Sequence, residues 1–153
     1  ACDNGIIVDE FGRTSDPAIV AVGDCTNHPC KAAGRRLRLE SVQNAIDQAK
    51  SAAMALLDIE QAYEAVPWFW SDQYEAKLQI AGVNDGAEEE ILRGDPSSGS
   101  FSVFYFTGGR LCGADSVNKP ADHMAVRRLL TKNVAITQAQ AQDEEFNLKS
   151  LLQ

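Results

Sequence analysis

Along the chain, apolar and polar positions fall into two textures that change near Pro67. In the first, short apolar runs alternate with polar loops. Gly5 to Asp9 contains Ile6, Ile7 and Val8 and leads into Glu10-Phe11-Gly12-Arg13, the pattern of a strand entering a hairpin. Thr14 to Pro17 reads as a loop. Ala18 to Val22 is an unbroken run of small apolar residues closed by Gly23-Asp24, which predicts a parallel strand buried on both faces. A polar loop with Asn27, Pro29 and Gly34 follows. From Glu40 to Leu57, residues Val42, Ala45, Ile46, Ala49, Ala53, Leu56 and Leu57 recur at helical spacing, with Ser41 placed to cap the helix.

After a linker at Gln61 to Val66, the pattern becomes one of short strands: Trp68 to Ser71, Ala76 to Ala81, Glu89 to Arg93, Phe101 to Thr107 and Arg110 to Ser116. In the fourth of these only Ser102 interrupts the apolar character, so it suits a strand covered on both sides. Thr107-Gly108-Gly109-Arg110 is a hairpin signal, because two glycines readily adopt the positive φ angles of a two-residue turn. Strands joined this way predict an antiparallel sheet. Pro120 to Thr131 reads as a helix with proline in its first turn and Met124, Val126, Leu129 and Leu130 facing inward. The tail from Val134 is expected to cross in extended form and end in one short helix around Phe146, Leu148, Leu151 and Leu152. The fold class expected from these elements is α+β.

The 153 residues, 44% hydrophobic and 24% charged, exclude a disordered or collagen-like chain, and no apolar run reaches the roughly 20 residues of a membrane span. A net charge of -8 repels phosphate backbones and anionic lipid surfaces, so neither nucleic acid nor membrane is an expected partner. The basic run Arg35, Arg36, Arg38 is a local exception. The N-terminus carries no initiator Met and no signal pattern, which fits a piece of a longer chain. With the scattered cysteines Cys2, Cys25, Cys30 and Cys112, it also leads us to expect reduced thiols and a cytoplasmic location.

The stretch Thr14-Ser15-Asp16-Pro17-Ala18-Ile19-Val20-Ala21-Val22-Gly23-Asp24-Cys25 carries the most chemistry. A glycine at a strand end lets a cofactor approach the backbone, and the following carboxylate can accept hydrogen bonds from sugar-alcohol hydroxyls. A bare Gly-Asp pair also serves as an ordinary strand-ending turn. The full spacing, Thr, six residues and then Ala-x-Gly-Asp, resembles the second FAD-binding motif of the glutathione-reductase-like flavoproteins. Gly34-Arg35-Arg36-Leu37-Arg38-Leu39-Glu40-Ser41-Val42-Gln43-Asn44-Ala45 continues the resemblance and narrows it to the NAD(P)H-dependent ferredoxin and rubredoxin reductases. Val66-Pro67-Trp68-Phe69-Trp70-Ser71-Asp72-Gln73 is similar to the opening of their C-terminal domain. Similar phrases recur as far as about residue 132.

That resemblance implies that residues 1-60 are the C-terminal part of an FAD-binding α/β domain and 61-153 a C-terminal domain with an antiparallel sheet and one or two helices. It implies FAD as cofactor, NADH or NADPH as reductant, and a [2Fe-2S] ferredoxin or a rubredoxin as acceptor, with a homodimer as a further expectation. Gly23 would let the cofactor approach the backbone, Asp24 would hold the ribityl chain, the N-H groups of Val42 and Gln43 would meet the pyrimidine edge, and Trp70, with Trp68 as a second candidate, the ring face. The plainer reading makes both tryptophans core anchors of the sheet. Arg35, Arg36 and Arg38 would dock an acidic ferredoxin, or pair with carboxylates of this chain. No side chain is expected to act as a catalytic acid, base or nucleophile.

Cys25 and Cys30 have the spacing of a redox disulfide. In glutathione reductase itself, however, that pair follows the first FAD fingerprint, and the ferredoxin reductases use flavin alone. Cys25, His28 and Cys30 lack a fourth zinc ligand, so no metal site is expected. His123 reads as a surface or capping residue. Neither Gly-x-Gly-x-x-Gly fingerprint occurs in these residues, so the chain alone is expected to bind no nicotinamide and to hold FAD weakly or not at all. Two other readings stay open: a stand-alone interaction or dimerisation module without flavin, and a reductase with a different acceptor.

Overall fold

The computed structural model describes residues 1–153, which divide into two compact units, Ala1–Ala65 and Val66–Gln153. The first unit holds a three-stranded sheet in the order β1 (Ile6–Ile7), β2 (Thr26–Cys30), β3 (Arg35–Leu37), with β1 parallel and β3 antiparallel to β2. The predicted strand at Ala18 to Val22 is not one. Val20 forms a single antiparallel bridge to Arg13, and Ile19 is 53% exposed. The central strand is instead Thr26–Cys30, inside the segment expected to be a polar loop. Its Thr26, Asn27 and His28 are buried because pairing on both sides satisfies their backbone and internal partners satisfy Thr26 and Asn27.

Helix α1 (Val42–Ala55) begins at Ser41, whose Oγ accepts from the Asn44 N-H at 3.2 Å, the expected N-cap. Its facing is reversed relative to its apolar pattern. The buried positions are Asn44, Gln48, Ser51, Ala52 and Ala55, while Val42 and Leu57 are 59% and 69% exposed. The reason is a hydrogen-bonded polar layer beneath the helix, which favours amide side chains over apolar ones on that side.

In the second unit all five predicted strands form, as β4 (Trp68–Gln73), β5 (Ala76–Gly82), β6 (Glu89–Asp95), β7 (Ser100–Thr107) and β8 (Arg110–Val117). They make an antiparallel sheet in the order β4-β5-β8-β7-β6. Gly108 and Gly109 both have positive φ, as the β7-β8 turn requires. Helix α2 (Pro120–Lys132), with proline in its first turn, packs on one face over a core of Phe104, Phe106, Ala81, Ala114, Ala125, Val126 and Leu129. Met124 is exposed, contrary to expectation, and His123 is buried. The tail contains one helix more than expected: α3 (Gln138–Gln142), with a Thr137 capping box, precedes the 3-10 turn Leu148–Leu152. Trp68, Ala81, Ala114, Phe104 and Ile91 lie opposite one another across the sheet, and Trp70, Gln79, Ser116, Ser102 and Arg93 form the next row on the same face.

Candidate functional site

In the first unit, Gly23–Cys25 form a 3-10 turn that ends in β2. Gly23 has φ +81°, and a Cβ built there would stand 3.2 Å from the Cβ of Ala45, so the turn lies against the first turn of α1. The Gly23 N-H points inward, donating at 2.7 Å to Oε1 of the buried Gln48. Asp24 is exposed, and its carbonyl accepts from Arg38 Nη1 at 3.2 Å. Thus the turn that carries Gly23 and Asp24 is packed against the first turn of α1, to which Val42 and Gln43 belong.

The N-H groups of Val42 and Gln43 occupy the first two helical positions, where no intrahelical acceptor exists. Asn44 is capped by Ser41, and the Ala45 N-H donates to the Ser41 carbonyl at 3.1 Å. The Gln43 side chain donates to Asp47 Oδ2 at 2.8 Å and so runs along the helix. An open pair of N-H groups at the positive end of the helix dipole can donate to carbonyl oxygens and favour a neighbouring negative charge. The Asp24 carboxylate can accept from hydroxyls.

All three arginines of the basic run are exposed, and Arg36 donates to the Val8 carbonyl at 2.6 Å and to Oδ1 and the carbonyl of Asn27. Arg38 pairs with Glu40 at 2.5 Å, and Arg35 lies exposed on β3. Cys25 is exposed and Cys30 buried, both as free thiols. Burial pushes the Cys30 thiol up and lowers His28 to about 4, with the Arg36 charge adding to the second effect.

Trp70 belongs to the second unit. It is 39% exposed and stacks on Trp68 with ring centroids 5.4 Å apart. Trp68 is also covered by the Arg127 guanidinium, 4.1 Å from its ring centroid, and by His123 at 5.9 Å. Trp68 is therefore an anchor between sheet and helix, whereas Trp70 keeps an accessible ring. His123 has no hydrogen-bond partner on either ring nitrogen, and burial followed by the Arg127 charge lowers it to about 4.

The sequence reading missed the polar layer beneath α1. Gln48 Nε2 donates to Asn44 Oδ1 at 3.0 Å, Tyr63 OH donates to the same oxygen at 3.0 Å, and Asn44 Nδ2 donates to the Leu39 carbonyl at 3.0 Å. The available signal was the helical spacing of Asn44, Gln48 and Ser51, a polar stripe beside the apolar one.

Residues 68–152 match the family described as reductase C-terminal, and residues 1–49 match the pyridine nucleotide-disulphide oxidoreductase family. The chain is 52% identical over 96% of its length to rhodocoxin reductase of Rhodococcus erythropolis, of which it covers 34%. To putidaredoxin reductase of Pseudomonas putida it is 39% identical over 98% of its length, covering 36%. Among solved structures, a ferredoxin reductase from Rhodopseudomonas palustris superposes with a TM-score of 0.93 at 43% identity, with 98% of this chain and 37% of that one covered. The covalent putidaredoxin reductase-putidaredoxin complex gives 0.94 at 39% identity, covering 99% and 36%. The chain spans about a third of the length of the curated relatives it matches.

Proposed function

Because the chain belongs to the reductase C-terminal family, whose model covers more than half of its residues, we propose that it is the flavin-edge segment and C-terminal domain of an FAD-dependent NAD(P)H:ferredoxin reductase. The observation that carries this reading is the end of the first unit where the Gly23-Asp24 turn packs against the first turn of α1, whose leading N-H groups have no intrahelical acceptor, and leaves Asp24 exposed. In this reading residues 1–60 complete the FAD-binding domain and residues 61–153 form the C-terminal domain.

The residues present fit a flavin. The donors at Val42 and Gln43 suit the carbonyl oxygens of its pyrimidine edge, and the Asp24 carboxylate suits its ribityl hydroxyls. On the second unit, taken by itself, Trp70 keeps an accessible ring of the kind that stacks on flat heterocycles. Bound FAD would accept hydride from NADH or NADPH and deliver electrons singly to the acceptor. The N-terminal end of α1 favours negative charge at the pyrimidine edge, and Gly23 lets the backbone approach without a side chain.

The named relatives support a ferredoxin as acceptor, and a rubredoxin is the finer alternative. The exposed run Arg35, Arg36 and Arg38 is proposed to steer an acidic partner, with Arg38 also pairing with Glu40 of this chain. Pairing of two copies is a further proposal. It is supported by the second sheet face, where Phe69, Ile80, Val103 and Leu92 line up with Asp115 between Ile80 and Val103, and where Phe69 and Leu92 are exposed. No helix is long and apolar enough to cross a membrane, and four free cysteines favour the cytoplasm.

The test is the polypeptide made from the source gene: its mass, its visible spectrum and its reduction of a [2Fe-2S] ferredoxin by NAD(P)H. A mass well above 16.6 kDa, bound flavin and ferredoxin reduction are expected. A colourless 16.6 kDa product would overturn the reading and leave an interaction module.

A further inference from the structure

We propose that Gln48 is a positioning residue for the flavin edge: it ties the Gly23-Asp24 turn to helix α1, so that the Asp24 carboxylate and the Val42 and Gln43 N-H groups are presented as one surface. The inference rests on the reading of that end as a flavin contact. Gln48 sits on the inner side of α1 and is 5% exposed. Its Oε1 accepts from the Gly23 N-H at 2.7 Å and stands 2.9 Å from the Thr26 hydroxyl, which also reaches the Gly23 carbonyl at 2.8 Å. The Gly23 N-H is thus held by the amide oxygen itself, and the Thr26 hydroxyl beside that oxygen stands within reach of the Gly23 carbonyl.

The other end of the same amide is fixed as well. Gln48 Nε2 donates to Asn44 Oδ1, which is held by the Tyr63 hydroxyl, and Asn44 Nδ2 holds the Leu39 carbonyl. Leu39 lies three residues ahead of Val42, so one network spans the turn that bears Asp24 and the chain entering the helix. Gln48 has no exposed polar atom with which to touch a ligand, and acts through Gly23 and Asn44. A satisfied buried network of this kind fixes one geometry, whereas an orphaned Gly23 N-H would leave the turn to seek another acceptor.

The decisive variants are Gln48→Leu, which removes the acceptor, and Gln48→Glu. While protonated, the carboxyl introduced by Gln48→Glu reproduces the amide: its carbonyl accepts from Gly23 and Thr26, and its hydroxyl donates to Asn44. Once ionised, it sets a carboxylate against Asn44 Oδ1. In the full-length flavoprotein, Gln48→Leu is expected to weaken FAD binding about ten-fold or more and to make the bound flavin harder to reduce, since the N-H groups that favour its anionic form are misplaced. Gln48→Glu is expected to match the wild type at low pH and to lose FAD affinity as pH rises. Asp9, Glu10, His28 and Tyr63 line the same small cavity and are present in all three proteins, so each pH series is compared with that of the wild type.

A second readout needs no flavin. In the 153-residue chain the Gly23 amide proton should exchange slowly with solvent, and at least ten-fold faster in Gln48→Leu. If the wild type binds FAD while folded Gln48→Leu keeps its affinity, flavin potential and Gly23 protection, the positioning role falls and the flavin reading stands. If Gln48→Leu does not fold, a pH-independent, wild-type FAD affinity in Gln48→Glu overturns the role. If the wild-type full-length protein holds no flavin, the underlying reading has failed, and Gly23 exchange still reports whether the tie exists.

Discussion

Nε of Arg93 lies 3.3 Å from Oδ2 of Asp122, and both side chains are buried. The same Asp122 oxygen is 3.1 Å from the Ser102 hydroxyl, which is 3.0 Å from that of Ser116. The rest of the guanidinium faces the tail, donating to the carbonyls of Ala141, Asp143, Glu144 and Phe146. One arginine on β6 thus binds a carboxylate on α2 and the backbone that leads from α3 to the last turn.

Removing it strands both the Asp122 charge and those carbonyls. Arg93→Ala is expected to destabilise the second unit by roughly 3–5 kcal/mol, the range for breaking a buried pair by deleting one partner. Arg93→Lys should rescue little, because an ammonium cannot fork to so many acceptors. Urea unfolding gives the magnitude, and limited proteolysis should cut first between residues 134 and 147. Wild-type proteolytic resistance of that segment in Arg93→Ala would show that the clamp is not what holds it.

Each unit contains one buried, neutral histidine, His28 and His123, and each is lowered from 6.5 to about 4 chiefly by burial. A lowered histidine means that the unfolded chain takes up protons first, so stability is present above pH 6.5 and is lost as pH falls toward about 4. Each group accounts for roughly 2–3 kcal/mol over that window. His123→Phe is expected to flatten the acid limb of the second unit and leave that of the first, read as urea midpoints for each unit between neutral pH and about pH 4. An unchanged acid limb would mean that His123 is protonated in the folded state.

Helix α1 offers a test of facing. Val42, Ile46, Leu56 and Leu57 are exposed, while Asn44 and Gln48 are buried. In this chain Ile46→Gln and Leu57→Gln should leave stability within about 0.5 kcal/mol, whereas Asn44→Leu, which orphans the Tyr63 hydroxyl and the Leu39 carbonyl, should cost about 1–3 kcal/mol. Equal losses from both kinds of change would contradict the reversed facing.

That helix also shows where the sequence was readable. In the second unit strand positions and the Gly108-Gly109 turn followed from alternation and turn chemistry, because each strand packs a local, period-two pattern against one helix layer. In the first unit apolarity misled. Ala18 to Val22 looked like a buried strand and Thr26 to Cys30 like a loop, yet the roles are exchanged, since Gln48, Arg36 and backbone pairing satisfy Thr26 and Asn27 from outside their own segment. His123, on helix α2, departs from expectation for the same reason: it is buried against Trp68 of β4, which local periodicity does not encode.

On the other sheet face, Tyr105 OH donates to Asp115 Oδ2 at 2.9 Å, while Oδ1 is buried without a partner. Burial is the main reason the Asp115 carboxyl is raised and Tyr105 is pushed up to about 12; the nearby Glu90 charge adds to both. For an acid whose folded pKa lies above its unfolded value, stability is complete below the unfolded value near 3.8 and is lost as pH rises through the folded one. Asp115→Asn keeps an acceptor for Tyr105 and removes the buried charge. It should therefore match the wild type in acid and become more stable than the wild type toward neutral pH, an advantage that Glu90→Gln reproduces in part. Urea midpoints on both sides of that window decide the matter: an Asn variant weaker than the wild type at neutral pH would mean that the ionised carboxylate is favourable where it stands.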